Sequence, residues 1–262
     1  MDNLGALLAV AIAVAALGLL AWFLRFRLRL SQVTETLIDA EDALDRGDVE
    51  HARELVAPIL ARYPKLPIVQ DVAADVLYAN GDPLSAASLY ERAMKKLGGP
   101  RVAPKLVAAY AALNRAGDAR RVAALAPDDP MTRLALAWSE LAAVGGDRDK
   151  GRALADDLSR DTELRSTASG DAMALVLEGI AAARSGDRAR ARAALDRASA
   201  RRTELPAHDR AFIGYLGGIA LLEMGAVADA RATWTMAVDA APDTIGSALA
   251  RRERSHLPQN ES

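Results

Sequence analysis

A glycine followed by an aspartate recurs along this chain: Gly47-Asp48, Gly81-Asp82, Gly117-Asp118, Gly146-Asp147 and Gly186-Asp187, with Gly225-Ala226 as a sixth, weaker copy. Each phrase closes one apolar-periodic stretch and opens the next. Glycine tolerates the left-handed backbone that ends a helix, and aspartate accepts from the first free N–H groups of the helix that follows. The spacing therefore predicts antiparallel helical hairpins, about six of them, and an all-α fold class. A single hairpin cannot bury its own apolar face, so successive hairpins must stack.

Composition agrees with close stacking. The apolar share is rich in alanine and only 4% of residues are aromatic, which suits helices whose backbones approach closely. Cysteine is absent, which excludes disulfides, thiolate metal sites and cysteine nucleophiles. A formal net charge of -2 speaks against coating nucleic acid, and no nucleic-acid partner is expected.

The layout within each interval resembles the tetratricopeptide repeat, which has small residues where helices cross and a large residue between hairpins. The sixth copy carries the likeness furthest, with Gly218, Gly225, Ala230, Trp234, Ala237 and Pro242 at the corresponding places. The second copy offers Ala74, Gly81, Ala86, Tyr90 and Ala93; the first offers Ala40, Gly47, Ala52 and Pro64; the fifth offers Gly179, Gly186, Ala191, Leu195 and Ala198. The third and fourth depart from the pattern, through the early Pro127-Asp128-Asp129-Pro130 and the doubled Gly145-Gly146. The resemblance implies an α-solenoid over residues 31–244, followed by a capping helix and tail over 245–262.

Residues 4–24 hold no charged side chain, enough for a helix of about 31 Å, which matches a bilayer core. Trp22 and Phe23, then Arg25, Arg27 and Arg29, follow as an aromatic belt and a basic flank would. The expectation is a transmembrane anchor with a basic juxtamembrane segment over residues 1–30. The arginines lead to the expectation that the repeat domain faces the cytoplasm, and the alanine- and arginine-rich composition to the expectation of a bacterial inner membrane. An N-terminal span followed by repeats is similar to the layout of the lipopolysaccharide assembly protein B family, although that family's cysteine-bearing module has no counterpart here.

In a repeat stack of this kind the concave wall is built from the first helix of each hairpin. The resemblance thus implies a protein-binding groove formed by Asp71, Asp75, Tyr78, Val107, Asn114, Arg115, Val176, Arg184, Phe212, Tyr215 and Ile219. Phe212 and Tyr215 suit packing against the next helix as well as ligand contact, and Asn114-Arg115 also suits a solvated helix end. Charge is uneven: acids dominate from Glu35 to Glu54, whereas Arg184, Arg188, Arg190, Arg192, Arg197, Arg201 and Arg202 form a basic run. That run is a candidate patch for an acidic partner or lipid headgroups, or a solvated face, since Arg184, Arg188 and Arg192 are spaced four apart.

No phosphate loop, nucleophile elbow or zinc-helix motif occurs, and His51, His208 and His256 stand far apart in sequence, so no catalytic residue, metal or cofactor is expected. The reading is a non-enzymatic, membrane-anchored scaffold that holds a protein or peptide partner in its groove and supports assembly of a membrane complex. The alternative is an outward-facing assembly factor resembling the repeat proteins of cytochrome c maturation.

Overall fold

The computed structural model describes residues 31–257, and every regular element among them is helical. A helix α1 covers 31–45. It is followed by α2 (Val49–Arg62), α3 (Pro67–Ala79), α4 (Pro83–Leu97), α5 (Gly99–Ala112), α6 (Ala116–Ala123), α7 (Pro130–Ala142), α8 (Arg148–Leu158), α9 (Ala168–Arg184), α10 (Arg188–Ala200), α11 (Ala207–Glu223), α12 (Val227–Ala240) and α13 (Ile245–His256).

The turn chemistry works as anticipated at four of the phrases. Asp48, Asp82, Asp147 and Asp187 accept from the backbone N–H of His51, Ser85, Lys150 and Arg190, each capping the second helix of a hairpin. Gly81 has a φ of +81°, a conformation L-residues avoid, so the helix ends there and the chain reverses.

Two turns differ from expectation. Gly117 and Asp118 lie inside α6, and the left-handed residue of that turn is Asn114, with φ +58°. Asparagine tolerates this conformation better than any neighbouring residue does, so the reversal comes three residues early. In the doubled glycine the left-handed residue is Gly145, and a Cβ on Gly146 would collide with the Glu140 carbonyl.

From the second hairpin onward each first helix packs on its second, and α5 packs on α7, α7 on α9, α9 on α11 and α11 on α13. Alanines permit this closeness: Ala40, Ala52, Ala74, Ala86, Ala93, Ala191 and Ala230 are all buried. In the sixth hairpin a Cβ on Gly218 would overlap the indole of Trp234. Trp234 is wholly buried and donates through Nε1 to the Tyr215 carbonyl at 2.9 Å, which meets the requirement that a buried indole find a partner.

The fold class needs one correction. The described residues are all-helical and compatible with an α-solenoid, but none of their helices is long and apolar enough to cross a membrane. The segment 4–24, on which the expected span rests, lies outside the described residues. Helix α13 covers the stretch expected to cap the stack, and takes the place that a further first helix would occupy beside α11.

The winding is tight enough for the ends to meet. Ala248 Cβ on α13 would stand 3.1 Å from a Cβ on Gly81, and His208 Nδ1 at the start of α11 would stand 3.3 Å from one on Gly47. Arg252 of α13 donates to the Ala112 carbonyl at 3.0 Å, satisfying the C-terminal end of α5.

Candidate interaction surfaces

Tyr78, Phe212 and Tyr215, three of the expected groove residues, come together on the inner side of the stack. They are joined by Trp138 of α7, which sequence reading passed over. Trp138 meets Phe212 edge to face at 4.9 Å between centroids, and Tyr215 at 6.3 Å. Burial raises the Tyr78 and Tyr215 phenols, that of Tyr215 to about 12. Tyr215, Val107 and Val176 are buried, Phe212 and Ile219 partly so. Helices α11 and α13 return to the early hairpins, through His208 beside Gly47, Ala248 beside Gly81 and Arg252 on the Ala112 carbonyl.

Asp71 and Asp75 of α3 serve as a bridge to the third hairpin. Arg101 Nε approaches Asp71 at 3.2 Å, and Lys105 Nζ approaches Asp71 at 3.3 Å and Asp75 at 2.6 Å. Tyr90 donates its hydroxyl to Asp75 at 2.6 Å. Burial pushes the Asp75 carboxyl up to about 6, against the pull of Lys105 and Tyr90. Burial also works against the Lys105 charge, but the two carboxylates prevail and raise it.

The same device recurs. Glu140, wholly buried on α7, accepts two 2.6 Å bonds from Arg120 of α6 and one of 2.7 Å from the Asp147 N–H at the start of α8. Asp171 on α9 pairs with Arg165 at 2.7 Å and Arg201 at 3.1 Å. These acids pin helices together, each offset by fixed charge partners in place of water.

The basic run does not form one patch. Arg184 pairs with Glu223, Arg190 with Glu178 and Asp156, and Arg201 with Asp171 and Glu204. Arg192 stands 3.6 Å from Asp196 and 3.8 Å from Asp229. Arg188, Arg197 and Arg202 have no carboxylate within ion-pair distance among the described residues. Asn114 and Arg115 are exposed, and Arg115 is tied to Asp118 at 2.5 Å and lies over the Tyr110 ring at 4.6 Å.

A recess of about 220 Å³ opens between α10 and the sixth hairpin. Helix α4 packs along α5, whereas α10 and α11 hardly touch, and the space between them is this recess. Its walls include Val176, Leu195, Leu205, Ile213 and Leu221, with Arg192, Asp196, Arg202 and Arg210 also on the lining. Among the described residues no group of histidine, aspartate and glutamate side chains is placed to hold a metal ion.

No family model matches the chain, and no curated protein matches it.

Proposed function

We propose that the protein is a non-enzymatic scaffold of tetratricopeptide type that acts by binding a partner protein. The observation that carries this reading is the serial hairpin stack, in which one cap-and-turn device recurs and each hairpin packs on the next. Such stacks expose long, rigid helical faces and derive function from contact along them. Asp71 and Asp75 are taken up in joining the second hairpin to the third, so they hold the stack together and leave partner contact to other side chains. The partner surface in this reading lies on the faces that the closed winding leaves open, including the exposed positions Asn114, Arg188 and Arg197.

The test is photo-crosslinking in cells from residues introduced singly at Asn114, Arg188 and Arg197. A scaffold gives a discrete heavier adduct from at least one of these faces, lost when the same face carries charge-reversing substitutions. Absence of any adduct from all three positions would count against the reading.

A further inference from the structure

We infer that the recess between α10 and α11 is a binding site for an unbranched acyl chain ending in a single anionic group. Its lining runs along α11 from Arg210 to Leu221, about 16 Å of helix at 1.5 Å per residue. Its volume of about 220 Å³ exceeds the ~150 Å³ that accommodates a benzene ring. A space that long and that small in volume is narrow, which suits a flexible chain in preference to a ring.

The room comes from glycine. A Cβ on Gly217 would find only Thr233 Cγ2 at 3.9 Å and Leu195 Cδ2 at 4.0 Å, so the helix face there is a bare floor. Leu195, Ile213 and Leu221 supply apolar walls.

Charge marks one end. Arg202 and Arg210 stand where α10 passes into α11, and neither has a carboxylate partner among the described residues. Arg202 Nη1 meets only the Met236 sulfur at 3.8 Å, and Arg210 Nη1 donates to the Leu205 carbonyl at 2.8 Å. Asp196, the acid on the lining, is beside Arg192 on an earlier turn of α10. The uncompensated cations at a narrow apolar channel call for an anion joined to a chain, and the arginine fork suits a carboxylate. The ligand is a small amphiphile, so this assignment goes beyond the scaffold reading.

The experiment exposes the full chain to a diazirine-bearing decanoate and locates the adducts by mass spectrometry. Adducts are expected between Arg192 and Ala237, with decanoate competing and decanol weaker by about tenfold, the worth of one charge-assisted hydrogen bond. Labelling there should fall by about tenfold in the double variant R202Q/R210Q, and equally in Gly217→Met, whose side chain fills the channel. The double variant alters only side chains at the rim, so it keeps the test valid if Gly217→Met folds poorly. The inference is overturned by adducts confined to residues 4–24, by decanol competing as well as decanoate, or by unchanged labelling in R202Q/R210Q. A peptide ending in phenylalanine that displaces the probe where decanoate does not would also overturn it.

Discussion

Trp138 and Phe212 meet edge to face with planes 87° apart, although they belong to the fourth and sixth hairpins. In a simple linear stack each hairpin would touch only its neighbours. Contacts of longer reach make the inner side of this molecule a shared core. In a double-mutant cycle with Trp138→Leu and Phe212→Leu, the double variant should lose about 1 kcal/mol less than the sum of the two single losses, read from urea midpoints. Strict additivity would mean that the two rings do not interact in solution.

The glycine beneath Trp234 makes a sharper prediction. Gly218→Ala gains about 1 kcal/mol in helix propensity, yet its methyl must displace a wholly buried indole, an overpacking that costs about 1–3 kcal/mol. A net loss of stability is expected, together with a change in Trp234 fluorescence. A stabilised variant would contradict the packing described.

Glu140→Ala should destabilise by about 3 kcal/mol, because it leaves the Arg120 guanidinium and the Asp147 N–H without their shared acceptor. Glu140→Gln should lose less, since the amide oxygen still accepts. Thermal denaturation of both variants measures the difference, and equal losses would contradict the acceptor role that the glutamine still fills.

At the α3–α5 bridge, Lys105→Met should cost about 2 kcal/mol, below the ~3–5 kcal/mol of a fully buried pair because Lys105 keeps 31% of its side chain exposed. The pH dependence has a defined sign. Asp75 holds its proton up to about 6 in the folded state, against 3.8 ordinarily, so the folded state binds the extra proton between these values. The resulting stabilisation is fully present below about pH 3.8 and is lost as pH rises through about 6. Asp75→Asn removes this slope, so it should gain stability relative to the parent chain as pH is raised from 4 to 7. A relative stability that is flat in pH would contradict the raised carboxyl.

The turns were legible in the sequence because their causes are local. Four aspartate caps need only a side chain and an N–H three residues away. The third turn was misplaced because Asn114 competes for the left-handed position and sits ahead of Gly117. The ion-pair partners of the basic run were not legible for a different reason. Arg184 and Arg190 find their acids on other helices, at Glu223 and Asp156, and linear charge says nothing of partners that far off. The groove residues share this difficulty. Repeat register says nothing of the winding that brings α11 and α13 back to the early hairpins, which is the sum of small rotations at every hairpin. No motif encodes such a sum, and the recess beside α10 arises the same way, from one pair of helices that fails to close.

Return of the last helix to the second hairpin decides which faces remain open to a partner, and one pair of residues reports on it. The chain has no native cysteine, so Gly81→Cys with Ala248→Cys introduces two thiols free of background. Their Cβ atoms would lie 3.1 Å apart, a few tenths inside the usual disulfide range of about 3.5–4.5 Å, while the left-handed turn at residue 81 adds about 1–2 kcal/mol of strain. Mild oxidation should convert nearly all of the folded protein to the intramolecular disulfide. Two thiols that stay free and react fully with maleimide in the native state would contradict the closed stack.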